Sequence, residues 1–167
     1  MGIIWGFIPL YADLHFEASC SMIGILIMLG VFVSGLIHLP MGYLADRISK
    51  KLMVVAGGLT VSYAILSFAW ADRMADLIRA TVLFGLGGGI SMPALMAMAV
   101  SKGSRINAMG SMMALMTMAH SLGMFSGALM GGMMMDFFQL QTAFPLGGWI
   151  MLVCTGLFLA GTNIKKN

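Results

Sequence analysis

Gly42-Tyr43-Leu44-Ala45-Asp46-Arg47-Ile48-Ser49-Lys50-Lys51 separates two long apolar runs, and its charges govern how the rest of the chain is read. Basic residues gather at the cytoplasmic ends of membrane helices. That rule alone accounts for Arg47, Lys50 and Lys51. It does not account for an acid directly before the arginine, or for a glycine four residues ahead of that acid. The stretch carries a pattern beyond a charge anchor.

Outward from this loop, apolar runs fall at roughly 1–12, 22–44, 52–71, 77–100, 108–135 and 143–162. A lone segment in lipid satisfies its backbone only as a helix, and a crossing takes about 20 residues. Five runs are long enough. The first would cover only about 18 Å of a hydrocarbon core about 30 Å thick. It lacks the basic start and small-residue cleavage site of a signal peptide, and Glu17 spoils a lipoprotein site at Ala18-Ser19-Cys20. It is read as the outer end of a helix that begins outside the sequence. The expectation is one membrane domain over 1–167: an all-α polytopic bundle of five full spans and a partial one.

Composition agrees. The chain has 167 residues, 60% hydrophobic and 9% charged, with a mean hydropathy of +0.97. Soluble domains carry about 25% charged residues, so an ordinary soluble fold is excluded. Short loops leave no room for a soluble catalytic domain. The net charge of +3 reports topology rather than nucleic-acid binding. Cys20 and Cys154 form no metal or disulfide spacing, and neither a metal nor a cofactor is expected.

The charges partition with the spans. Arg47, Lys50, Lys51, Lys102, Arg105, Lys165 and Lys166 fall on one side, with only Arg73 and Arg79 on the other. Asp13, Glu17, Asp72, Asp76 and Asp136 fall opposite the basic side, leaving Asp46 alone among the cations. The basic side is expected to be cytoplasmic. Both termini then lie inside a cell (inner or plasma) membrane.

Gly42, Leu44, Ala45, Asp46, Arg47 and the pair Lys50-Lys51 resemble the signature loop of the major facilitator superfamily, Gly-x-Leu-Ala-Asp-Arg-x-Gly-Arg-Lys. Ser49 replaces a usual glycine, and Lys50 replaces arginine with its charge kept. In that family the loop sits at the cytoplasmic gate and helps hold two transporter halves in one state. The resemblance implies that Asp46 meets the positive N-terminal end of a helix. It also implies that Arg47 pairs with an acid across the gate and that Gly42 permits close helix contact.

A second resemblance lies in Gly123-Met124-Phe125-Ser126-Gly127-Ala128-Leu129-Met130-Gly131-Gly132, similar to the Gly-x-x-x-Gly-Pro-x-x-Gly-Gly pattern of antiporters in the superfamily. Ala128 stands in place of the proline, which weakens the antiport reading. Ala119, Gly123, Gly127 and Gly131 also make a small-residue face of the kind that packs helices closely in lipid, and packing alone explains them. In the fourth span, Gly85, Gly87, Gly88 and Gly89 precede Pro93 inside an apolar run with no lysine before Lys102, so they are not a phosphate loop. They and Pro93 are read as a weakened helix near mid-membrane, where transporters bend. Related transporters often carry arginine where this chain has Thr81, which favours the C-terminal half of a facilitator.

Ionisable groups within a span are functional suspects. Two qualify here, His38 and His120. Each is either a neutral imidazole bonded to a neighbouring helix or a proton-linked group on the cavity. The chain has 20 methionines, and Met92, Met96, Met98, Met109, Met112, Met113, Met116 and Met118 crowd the fourth and fifth spans. They suit apolar ligands or simply fill core and lipid surface.

The resemblance implies half of a twelve-helix transporter, with the bilayer, a missing N-terminal half and a small-molecule substrate as partners. By it, the first and fourth spans line the path, the second and fifth form its sides, and the third and sixth face lipid. The cargo class expected is a small organic solute or drug, moved by efflux or antiport. Two rivals are a non-transporting membrane partner or inactive remnant, and an intramembrane hydrolase using Ser34 and His38.

Overall fold

A computed structural model describes residues 2–137 and 140–163. The chain folds into six helices: α1 (Gly2–Phe16), α2 (Cys20–Arg47), α3 (Lys50–Phe68), α4 (Met74–Arg105), α5 (Met109–Phe137) and α6 (Leu140–Asn163). The all-α bundle expected from composition is what forms, and α2 to α6 are long and apolar enough to cross a membrane. Lys165 and Lys166 lie outside the described residues. At 15 residues, α1 reaches only about 22 Å.

Short polar breaks set the turns. Glu17, in the left-handed region at φ 47°, reverses the chain between α1 and α2, where Ser19 accepts from the Met22 amide at 3.4 Å and caps α2. Asn107, at φ 52°, reverses it between α4 and α5. Asparagine tolerates that conformation better than most residues.

Helix neighbours obey a simple exchange. α1 packs on α2, α5 and α6; α2 on α3 and α4; α3 on α4 and α6; α5 on α4 and α6. Swapping α1 with α4, α2 with α5 and α3 with α6 returns the same set. Three helices carry the chain to the opposite side before the pattern restarts, which is the connectivity of an inverted repeat.

Two cores sit at opposite ends of the bundle. Tyr11, Phe68, Leu77 and Phe144 belong to the larger one, with the Phe144 ring 5.1 Å from Tyr11 and 5.6 Å from Phe68. Ala45, Met53, Val54 and Ala94 form the smaller one beside the Gly42–Lys51 stretch. Between them helices meet through glycine. A Cβ on Gly85 would stand 2.6 Å from the Gly30 carbonyl oxygen of α2, and one on Gly87 would stand 2.9 Å from the Gly57 carbonyl oxygen of α3. Residues two apart on a helix point about 200° apart, so Gly85 and Gly89 serve α2 while Gly87 and Ser91 serve α3. α4 is clasped between its neighbours. It is helical through Pro93, and Gly85, Gly87 and Gly89 are contact surface for its neighbours.

The helices differ sharply in cover. Half of the most apolar window of α3 is buried, against 11% for α2 and none for α5. The outward side of α3, expected to face lipid, is reduced to one stripe through Leu52, Ala56, Leu59 and Tyr63. The long apolar faces of α2 and α5 are left bare.

Candidate functional site

The basic end of the bundle gathers the close of α2, the start of α3, the close of α4 and the last turn of α6. Arg47 lays its guanidinium 4.4 Å from the centroid of the Tyr43 ring, one turn back on α2. A cation over an aromatic face is held by the ring quadrupole. Lys51 reaches across to α6, where its Nζ donates to the Thr162 carbonyl oxygen at 2.8 Å. Last-turn carbonyls have no helical partner, so a lysine there satisfies one of them and offsets the negative end of the helix.

Asp46 is exposed and makes no hydrogen bond or ion pair with the described residues, and Arg47 makes no ion pair with them. The ion pair found among the described residues is Arg79–Asp76, at 3.4 Å on the opposite end of the bundle. Ser49 occupies the N-cap position of α3 without a side-chain hydrogen bond. A Cβ on Gly42 would meet nothing within 4 Å among the described residues.

A cleft of about 410 Å³ opens between α4, α5 and α6. Met92, Met98 and Lys102 line it from α4, Met116 and His120 from α5, and Phe158 from α6. The crowding of methionine in the fourth and fifth spans thus converges, in part, on one cavity. His120 is exposed to it. His38 lies elsewhere, exposed on α2, and is not brought together with His120 in this cleft.

A second cleft, about 280 Å³, runs along the small-residue face of α5, where Gly123, Ser126 and Gly127 look toward Met151 and Cys154 of α6. Cβ atoms on Gly123 and Gly132 would meet nothing within 4 Å. Gly131 does pack, against the Phe7 ring of α1. Along the rest of this face Gly123 and Gly127 line the cleft.

Thr81 is 3% exposed, its Oγ1 donating to the Leu77 carbonyl oxygen at 2.8 Å and its methyl group facing Gly30. An arginine side chain finds no room there. Ser34 and His38 are not hydrogen-bonded to each other, and the Ser34 backbone lies against Gly89 of α4. The described residues hold no group of three or more His, Cys, Asp or Glu placed for a metal.

The Major Facilitator Superfamily profile matches residues 1–166, and the chain belongs to that family. It is 27% identical to the multidrug resistance protein MdtG of Serratia proteamaculans over 161 residues, covering 94% of this chain and 39% of that protein. It is 23% identical to an uncharacterized MFS-type transporter of Methanocaldococcus jannaschii, over 90% of this chain and 38% of the relative. Methyl viologen resistance protein SmvA of Salmonella typhimurium is 29% identical over 71% of this chain and 24% of its own length. The chain thus spans about two fifths or less of the curated relatives it matches. No solved structure matches. The family points to a multi-pass membrane transporter rather than an enzyme.

Proposed function

We propose that this chain is the C-terminal six-helix half of a facilitator that moves small organic solutes by alternating access, in the efflux or antiport direction. The observation that carries the reading is the pair of bare faces. α2 and α5, exchanged by the inverted repeat, are the helices least covered by their own chain. A second six-helix half covers them, and the solute path runs between the two. Thr81 in place of an arginine supports the C-terminal assignment.

The basic end is the cytoplasmic gate, with both termini on that side. Asp46 and Arg47 stand free of ion-pair partners among the described residues, so they engage the other half in one state and release it in the next. Such contacts bias a two-state rocking motion and do not touch the solute. The methionine cleft gives an adaptable apolar wall, since methionine is flexible and polarisable. His120 and His38, the ionisable groups of the helix interiors, are the candidates for proton linkage.

The test is accumulation of methyl viologen, chosen because a relative's name carries it, together with a panel of lipophilic cations. Cells lacking their own efflux pumps and expressing the intact protein retain less of at least one compound than cells expressing Arg47→Ala. Equal retention across the panel, with both proteins in the membrane, refutes the reading.

A further inference from the structure

The methionine cleft holds more than apolar volume. Gly103 and Met112 fix how α4 and α5 lie along each other: a Cβ on Gly103 would stand 3.2 Å from Cβ of Met112. Both helices rise about 1.5 Å per residue, so counting back along α4 sets Met116 near Ala99 and His120 near Leu95. Met98 and Met92 flank that level from α4. Met116 and His120, four apart, share one face of α5 and are separated by about 6 Å along its axis. Four thioethers, those of Met92, Met98, Met112 and Met116, and the imidazole of His120 line the cleft from two helices, and Met98, Met116 and His120 lie within about 6 Å of one another along the helix axes.

We infer that this cleft is a binding site for a soft monovalent metal ion, Cu(I) or Ag(I), held by the thioethers of Met98 and Met116 and by the imidazole of His120, with the thioethers of Met92 and Met112 lining the cleft on either side. Thioether sulfur selects soft ions, and imidazole suits copper. The lining contains no carboxylate, so hard cations such as Mg²⁺ or Ca²⁺ find none of the oxygen ligands they need. Lys102 also lines the cleft, about one turn beyond Met98, and its positive charge opposes any cation there, so the sulfur and imidazole donors must outweigh that repulsion. Methionine has enough rotatable bonds to close on an ion across the cleft. The site rests on the cleft and not on the transport reading.

Met→Leu changes conserve volume and apolarity at small cost to folding, and so separate ligation from packing. The intact protein in detergent, in chloride-free buffer, is titrated with silver nitrate by calorimetry, with bound silver counted by mass spectrometry. Three proteins are compared, each carrying Cys20→Ser and Cys154→Ser because exposed free thiols bind Ag(I) more tightly than thioethers do: the cysteine-free parent, Met92→Leu/Met98→Leu/Met112→Leu/Met116→Leu, and a control with Met28→Leu/Met118→Leu/Met133→Leu, whose residues are exposed away from the cleft. The cleft variant is expected to bind silver more weakly by about tenfold or more, since disturbing outer-sphere partners alone costs 10- to 100-fold. The control is expected to keep the tight site. Equal affinity in both variants overturns the proposal, as does no tight site in the cysteine-free parent. X-ray absorption of Cu(I) on the cysteine-free parent needs no cleft variant to fold. A shell of sulfur and nitrogen supports the site, and a shell without sulfur overturns it. An organic solute that still binds the cleft variant would leave the transport reading intact while silver binding is lost.

Discussion

Lys51 donates from Nζ to the Thr162 carbonyl oxygen at 2.8 Å, joining residues 111 positions apart. The bond pins the start of α3 to the last turn of α6, and so fixes which helix ends share the basic side of the bundle. It is an exposed contact between a cation and a helix end, a class worth about 0.3–1 kcal/mol at low salt. Lys51→Met is expected to lower thermal stability in detergent by no more than about 1 kcal/mol, and the difference should shrink as salt is added. A salt-independent loss of several kcal/mol would show that Lys51 does something other than cap α6.

The glycine seam makes a sharper forecast. A side chain at Gly85 would enter the Gly30 carbonyl of α2, and the backbone gives way less easily than a side-chain tip. Overpacking of this kind costs about 1–3 kcal/mol even when the structure relaxes. Gly85→Ala is therefore expected to lower the melting temperature clearly. Gly123→Ala, with nothing within 4 Å of the new methyl group, should match or exceed the parent, since alanine favours helix over glycine by up to about 1 kcal/mol. Circular dichroism melts of the two variants decide the matter.

Thr81 separates shape from charge. Its hydroxyl bonds only within its own helix, so Thr81→Val should fold normally and shift stability by less than about 1.5 kcal/mol. Thr81→Arg places a charge at a site 3% exposed, packed on Gly30. No nearby carboxylate lines the small void beside it, and an uncompensated buried charge is strongly destabilising, by about 3–5 kcal/mol. Loss of monodisperse protein on size exclusion is the expected result for arginine alone.

At the gate, Asp46→Asn and Arg47→Ala should cut solute flux by about tenfold or more, each 1.4 kcal/mol lost from a shared state being worth that factor. Expression and melting temperature should stay near those of the parent, because neither residue forms an ion pair with the described residues. Flux in vesicles, divided by the protein inserted, is the readout. Normal flux in both variants removes the gate role.

Much of this architecture was legible in the sequence because lipid restricts backbone so severely. The five long apolar runs and the Gly42–Lys51 stretch led directly to the bundle and to its family. The roles of individual glycines were less legible. Gly85, Gly87, Gly123 and Gly127 look alike in sequence, yet the first two are wedged between helices while the last two line open space. Which face of a helix meets a neighbour depends on tertiary arrangement, and in an apolar span the polar side that would announce it is missing. Two signals could have been taken further. Gly85 with Gly89 and Gly87 with Ser91 are spaced for opposite faces, and Met112, Met116 and His120 recur every four residues on one face of α5. The Lys51–Thr162 bond had no local signal at all.

The bare faces of α2 and α5 carry the central claim, that a second six-helix unit covers them. The most direct measurement is the intact mass of the native protein in its own membranes, detected through this chain, with cysteine crosslinking from positions 36 and 125, which lie on those faces. The account predicts one polypeptide of at least roughly twice 17.8 kDa, with crosslinks from both positions into helices outside this sequence. A species near 17.8 kDa, with neither position crosslinking to another helix, would contradict it.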